Sequence, residues 1–117
     1  MGAPFVWFDV TTTGDTEAVR GFYTELFGWT AGPAGGGYGA WFTDGDRPWA
    51  GLSPTGPAAA GRWIPYVVVD DLDATAKRAV ALGGAVVRDR TVGPAGTAVL
   101  VADPAGAVVA LFTPAAA

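Results

Sequence analysis

One stretch of the sequence, residues 62 to 84, constrains the fold more than any other. It opens with RWIPYVVV, a run of β-branched and aromatic residues that suits a pleated strand and forms helix poorly. Asp70 or Asp71 can cap the helix that follows, whose apolar residues recur at three- and four-residue spacing. Two glycines end that helix, and a second apolar run starts at Ala85. The stretch therefore predicts a strand–helix–strand unit.

The first half of the chain repeats this plan. Four residues recur as the same type after a shift of 56 positions, as from Asp15 to Asp71; the four are Asp15, Ala18, Leu26 and Gly28. Any two helices that have a capping residue, an apolar stripe and a terminal glycine could match at these four positions. However, the order β-α-β-β-β occurs in both halves, which favours a duplication. We predict one α+β domain, residues 1–117, made of two βαβββ modules (about 5–53 and 62–114). A linker rich in Pro, Gly and Ala, residues 54–61, joins them.

Charge and hydropathy exclude several classes of partner. The net charge is −4, and the Lys and Arg residues are scattered, which disfavours binding to a nucleic-acid backbone. No apolar run reaches the roughly 18 residues that span a bilayer, so we expect no membrane partner. The N-terminus lacks a basic region followed by an apolar core, so no signal peptide is expected. A cytoplasmic location is the default prediction.

The sequence contains neither histidine nor cysteine. Any metal would have to be held by Asp and Glu oxygens, which suits Mg or Ca better than Zn, Fe or Ni. A histidine base or a histidine-containing triad is excluded. Asp44 and Asp46 flank a glycine as turn residues, without the alternating ligands and final Glu of a calcium loop. We therefore predict no metal and no cofactor.

Each sheet should have one face covered by a helix and an open face that can line a cleft. Side chains alternate along a strand, so Phe8 and Val10 should point to the helix while Trp7 and Asp9 point away from it. Applied to every strand, alternation assigns the following residues to the open faces: Trp7, Asp9, Thr11, Trp49, Gly51, Ile64, Tyr66, Val68, Val108, Ala110 and Phe112.

Four motifs together resemble the vicinal oxygen chelate (VOC) superfamily, which includes glyoxalases, extradiol dioxygenases and bleomycin-resistance proteins. They are GFYTELFGW (21–29), YVVVDDLDAT (66–75), LGGAVV (82–87) and DPAGAVVALF (103–112). The resemblance covers about residues 5 to 114. It implies two βαβββ modules around a U-shaped cleft, often completed in a homodimer, and a homodimer is therefore expected.

The resemblance also implies where the metal ligands of the superfamily's enzymes would fall. They match positions at or near Trp7 (or Phe8), Gly51, Ile64 and Ala110. None of these side chains can ligate a metal, so we do not expect metal chemistry to carry over. Asp9 lies beside the first position, but one carboxylate does not make a metal site.

Three functional hypotheses follow. In the first, the chain sequesters a planar, aromatic small molecule without a metal, as drug-resistance members of the superfamily do. Four of the five tryptophans, Trp7, Trp41, Trp49 and Trp63, should lie near the cleft, where they can stack on a flat ligand. The predicted ligand contacts are Trp7, Asp9, Trp41, Trp49, Gly51, Ile64, Tyr66, Ala110 and Phe112. An ordinary core or a dimer interface would also account for the tryptophans.

In the second hypothesis, the chain is a metal-independent lyase, isomerase or cyclase acting on a carbonyl compound. Asp9 would be the base, with apolar neighbours raising its pKa. Tyr66 would orient the substrate, and Arg88 or Arg90 would hold an anionic group. Alternatively, Asp9 is a carboxylate satisfied by a backbone N–H or an arginine. In the third hypothesis, the chain is an interaction module whose apolar face serves dimerisation.

Overall fold

The computed structural model describes residues 4–12, 15–34, 38–54 and 61–115. Within them, the order βαβββ occurs twice, which confirms the predicted α+β fold of two similar modules. The elements are β1 (Phe5–Thr11), α1 (Thr16–Phe27), β2 (Thr30–Gly32), β3 (Ala40–Asp44), β4 (Arg47–Ser53), β5 (Arg62–Val68), α2 (Leu72–Ala81), β6 (Ala85–Gly93), β7 (Gly96–Ala102) and β8 (Val108–Pro114). Most of the predicted linker, residues 54–61, lies outside the described residues.

Aspartate side chains begin both helices. Asp15 accepts hydrogen bonds from the backbone N–H groups of residues 17 and 18, at 3.0 and 3.3 Å. Asp71 accepts one from the N–H of Ala74 at 2.9 Å, so Asp71 rather than Asp70 caps α2. Each bond satisfies an N–H that has no partner inside the helix. Gly28 ends α1 in the left-handed conformation, with φ of 72°, which costs glycine little.

Close contacts divide the chain into two compact units. The first unit comprises the described residues of 7–63, and the second comprises those of 64–115 together with 4–6. Neither α1 nor α2 is long and apolar enough to cross a bilayer.

In the first unit, four strands pair in the order β2-β3-β4-β1. The strands β1 and β4 are parallel, and the pairs β4–β3 and β3–β2 are antiparallel. The face toward α1 buries a core of Val10, Ala40, Phe42, Ala50 and Leu52, with Val19 and Tyr23 of the helix packed against it. Alternation along β1 is therefore confirmed, because Val10 belongs to this core.

Aromatic side chains complete this core. The ring of Tyr23 stacks on Trp29 with centroids 5.4 Å apart, and meets Trp63 edge-on at 5.3 Å. The Trp63 indole N–H also donates a hydrogen bond of 2.9 Å to the Tyr23 hydroxyl. We call Tyr23, Trp29, Phe42, Trp49 and Trp63 the aromatic core. The prediction that Trp63 lies near the cleft is wrong, since its ring is part of the packing against α1.

A β-bulge also moves Trp49 into the aromatic core. Phe42 pairs with Ala50 but Thr43 pairs with Pro48, so β4 has one more residue than β3 at this point, and that residue is Trp49. Its ring packs against Trp29 at 4.9 Å and lies parallel to Trp63 at 6.3 Å. The assignment of Trp49 to the open face is wrong because a bulge interrupts strict alternation.

In the second unit, the strand order is β5-β8-β7-β6, with β5 parallel to β8. The face toward α2 buries Leu72, Val99, Val101 and Leu111. The opposite face forms a separate cluster of Ile64, Leu100 and Ala110, with Tyr66 and Val108 packed against them. Alternation therefore assigned the faces of β5 and β8 correctly at Ile64, Tyr66, Val108 and Ala110.

The cap of α2 gives a direct test of the local structure. Asp71→Ala should lower the free energy of unfolding by about 0.5–2 kcal/mol, because the Ala74 N–H loses its acceptor. Asp70→Ala, one residue earlier and exposed, is the matched control and should change it by no more than about 0.5 kcal/mol. Urea denaturation measures both variants. Equal losses would show that Asp71 does not act as the cap.

Candidate functional site

A row of paired residues crosses the first unit's sheet on the face away from α1. Asp9 of β1 pairs with Gly51 of β4, Gly51 pairs with Trp41 of β3, and Trp41 pairs with Gly32 of β2. Residues paired directly across neighbouring strands point to the same face. Since Val10, next to Asp9, belongs to the core under α1, this row lies on the opposite face.

The carboxylate of Asp9 is the polar centre of this face. The residue is only 6% exposed. The Trp7 indole N–H donates a hydrogen bond of 2.7 Å to Oδ1, and the Tyr38 hydroxyl donates one of 3.1 Å to Oδ2. A buried carboxylate is tolerated when donors surround it. Asp9 is therefore a hydrogen-bonded carboxylate, and both of these donors are aromatic side chains.

Trp7 reaches Asp9 because the two residues are two positions apart on one strand, which places their side chains on the same face. Tyr38 comes from the segment before β3 and reaches Asp9 across β4 at Gly51. A Cβ atom at position 51 would lie 2.4 and 2.6 Å from two carbons of the Tyr38 ring, and 3.1 Å from Asp9 Oδ1. Glycine at 51 therefore provides the space that the tyrosine ring occupies.

Trp41 lies on the other side of Tyr38. The Tyr38 ring meets Trp7 edge-on at a centroid distance of 6.4 Å, and meets Trp41 edge-on at 6.5 Å. The indole nitrogen of Trp41 is buried and has no hydrogen-bond partner within the part of the chain that the structure describes. We call Trp7, Asp9, Tyr38, Trp41 and Gly51 the Asp9 cluster. The structure thus brings together four predicted site residues and adds Tyr38.

Tyr38 was not among the predicted site residues. It follows a glycine-rich turn, and the sequence predicts that its strand begins at Tyr38, but β3 begins only at Ala40, so strand alternation does not assign Tyr38 to a face. The signal that could have found it is Gly51, because a glycine inside a strand often marks the close approach of another group. The partner in this case is an aromatic ring rather than backbone.

The other predicted contacts lie in the second unit. Ile64 and Ala110 are buried in its apolar cluster, and Tyr66 meets Phe112 edge-on at 5.7 Å. The guanidinium of Arg90 is hydrogen-bonded and ion-paired to Asp73 of α2. This contact places Arg90 beside α2, away from Tyr66. Arg88 of β6 pairs with Leu100, Leu100 pairs with Ala110, and Ala110 pairs with Tyr66. Arg88 therefore lies on the same face as Tyr66, three strands away, while the ion pair holds Arg90 beside α2.

The sequence matches a known family over almost all of these residues. Residues 6–112 match the family model described as a glyoxalase-like domain. The chain belongs to the glyoxalase-like family. Its fold is shared by a glyoxalase/bleomycin resistance protein/dioxygenase superfamily member from Vibrio splendidus, with a TM-score of 0.59 and 12% identity over 93% of this chain and 97% of that one. The predicted membership of the VOC superfamily is confirmed.

Two curated relatives are similar over most of the chain. "Putative glyoxylase CFP32" from Mycobacterium tuberculosis is 36% identical over 115 residues, which cover 91% of this chain and 44% of the relative. "Anthracycline biosynthesis protein DnrV" from Streptomyces peucetius is 36% identical over 132 residues, covering 95% of this chain and 46% of the relative. The glyoxalase-like chain thus spans about half the length of these relatives.

The residues at the superfamily's metal positions do not fit a metal. The Trp7 nitrogen carries a proton that it donates to Asp9, and Gly51 has no side chain. Ile64 and Ala110 are apolar and buried. Among the described residues, no three Asp or Glu side chains form a group that could hold a metal ion. Since the donor set does not fit, we derive no chemical step through a metal.

The packing of Tyr38 over Gly51 can be tested by substitution. Gly51→Ala should lower the free energy of unfolding by about 1–3 kcal/mol, because the new methyl group displaces the Tyr38 ring. Gly21→Ala is the matched control. Nothing lies within 4 Å of a Cβ at this position inside α1, so Gly21→Ala should raise the same quantity by about 0.5–1 kcal/mol.

Removing the ring should remove the penalty. In a Tyr38→Ala background, Gly51→Ala should therefore cost much less, and a double-mutant cycle by urea denaturation measures the difference. A penalty of equal size in both backgrounds would show that Tyr38 is not what Gly51 accommodates.

Proposed function

We propose that this glyoxalase-like chain binds a planar, aromatic small molecule without a metal, and that the Asp9 cluster forms part of its binding site. The observation that carries the proposal is the composition of the cluster: three half-buried aromatic residues share one face with a buried carboxylate, and two of them donate hydrogen bonds to it. Half-buried rings leave apolar surface that a flat ligand can cover, and aromatic pairs gain about 0.5–1.5 kcal/mol beyond area burial. Sequestration of the ligand requires no further chemistry.

The donor set and one relative support this proposal. The residues at the superfamily's metal positions cannot ligate a metal, so binding has to rely on apolar and hydrogen-bonding contacts. The relative DnrV is named for anthracycline biosynthesis, and anthracyclines contain planar, fused aromatic rings. A ligand of that shape matches the aromatic side chains of the Asp9 cluster.

The predicted homodimer remains a prediction. Three large apolar side chains of α1, those of Phe22, Leu26 and Phe27, are 57%, 58% and 57% exposed. They offer apolar surface that a second copy of the chain could cover.

Titration with matched compounds tests the binding proposal. Purified protein is titrated with 2-naphthol, which is flat and aromatic, and with decahydro-2-naphthol, its saturated counterpart. We expect 2-naphthol to change the tryptophan fluorescence saturably and to raise the melting temperature, since a ligand that binds the folded state stabilises it. The saturated compound should do neither, because it has no aromatic face to stack.

Binding should also survive EDTA, and metal analysis of the purified protein should find no stoichiometric transition metal. If neither 2-naphthol nor larger flat compounds change the fluorescence or the melting temperature, the proposal fails. A stoichiometric transition metal would remove its metal-independent part.

A second candidate is a metal-independent lyase or isomerase with Asp9 as the base. It is favoured by the glyoxalase-like family model and by the burial of the Asp9 carboxylate. Against it, two donors already bond the carboxylate, and hydrogen bonds to the charged form make a carboxylate less ready to take a proton.

Asp9→Asn separates the two functions because asparagine keeps the shape and removes the base. For a binding protein, the affinity for a flat ligand should change only a few-fold. For an enzyme, turnover of its carbonyl substrate should fall by about 10²–10⁴-fold. Stopped-flow assays of any turned-over compound, with calorimetry for affinity, distinguish the two outcomes.

A further inference from the structure

We infer that the indole N–H of Trp41 donates a hydrogen bond to the ligand, and that the ligand is therefore a planar aromatic compound carrying a neutral acceptor such as a carbonyl or quinone oxygen. This inference rests on the proposed function and adds the chemical class of the ligand. It makes Trp41 a specificity-determining residue of the Asp9 cluster.

The first step is the missing partner of Trp41. Its indole nitrogen is buried without a hydrogen bond inside the described residues. The indole nitrogens of Trp7 and Trp63 both have partners, at 2.7 Å to Asp9 and 2.9 Å to Tyr23. Leaving a buried donor unpaired is costly, and more than about 90% of buried polar groups are paired. A ligand oxygen that displaces the atoms covering this nitrogen would supply the partner and relieve the cost.

The second step is position. Trp41 and Asp9 both pair with Gly51, one on each side of β4, so both lie on the face away from α1. The Tyr38 ring that bonds Asp9 also meets the Trp41 ring edge-on. The ring that carries this donor thus belongs to the face on which we place the ligand, and Trp41 as a whole is only half-buried.

The third step is chemistry. An indole N–H donates and cannot accept, so the ligand atom opposite it must carry a lone pair. The Asp9 carboxylate lies on the same face, and a second negative charge close to it would be unfavourable. A neutral carbonyl or quinone oxygen meets both requirements better than a carboxylate or phosphate.

Two flat, neutral compounds of nearly the same shape test this in the unmodified protein. The compound 9-fluorenone carries one carbonyl group where fluorene carries a methylene group. Isothermal titration calorimetry should give about five- to tenfold tighter binding for 9-fluorenone, the factor expected for one net hydrogen bond. This comparison needs no variant.

Two tryptophan variants then locate the donor. Trp41→Phe keeps an aromatic ring but removes the N–H, so the preference for 9-fluorenone should fall to about one, mainly through weaker binding of 9-fluorenone. Trp63→Phe is the matched control. It removes an N–H that bonds Tyr23 in the aromatic core, so the preference should persist. Because only Trp63 loses a formed hydrogen bond, its variant should also melt at the lower temperature.

The outcomes separate this inference from the proposed function. Equal affinity for the two compounds in the unmodified protein, or a preference that persists in Trp41→Phe, would overturn the inference and leave aromatic binding in place. If neither compound binds, both the proposed function and the inference are overturned.

Discussion

Burial of the Asp9 carboxylate is the constraint on which the far face of the first unit depends. A charge at 6% exposure is stable only with hydrogen-bond donors, because its desolvation costs several kcal/mol. One donor comes from Trp7, two positions away on the same strand. The other comes from Tyr38 and requires the absence of a side chain at position 51. The residues at 7, 9, 38 and 51 are therefore coupled: replacing one changes what the others can do.

The tryptophans divide between two tasks because the sheet has two faces. Trp29, Trp49 and Trp63 pack with Tyr23 and Phe42 under α1 and hold the unit together. Trp7 and Trp41 lie on the opposite face, where Trp7 bonds the buried carboxylate and the N–H of Trp41 has no partner among the residues that the structure describes. Trp7 and Trp41 thus fit the hypothesis of an aromatic site, whereas Trp29, Trp49 and Trp63 fit the alternative of an ordinary core. A stable aromatic core on one face lets the other carry a polar group that contributes little to packing.

The sequence patterns correctly predicted those features that depend only on regular local backbone structure. Caps, helix stops and alternation along β1, β5 and β8 follow from local sequence, since each depends on one strand or one turn of helix. Trp49 was misplaced because a bulge depends on how β4 pairs with β3, which alternation within one strand does not contain. Tyr38 was missed because it reaches Asp9 across a neighbouring strand, from a position before β3. Gly51 was predicted from its match to a metal position, while the structure shows that it makes room for an aromatic ring.

Position 51 also shows how closely the residues of the Asp9 cluster constrain one another. Through the resemblance, it corresponds to a place where metal enzymes of the superfamily carry a ligand. Here the ring of Tyr38 lies 2.4 Å from where even a Cβ would stand. Glutamate at position 51 alone would therefore displace the ring of Tyr38, and Asp9 would lose one of its hydrogen-bond donors. This cost would accompany any metal ligand introduced at position 51. Metal binding at these positions would need changes at 51 and 38 together, as well as at the apolar positions. The absence of a side chain at position 51 and the presence of the Tyr38–Asp9 bond are thus parts of one arrangement.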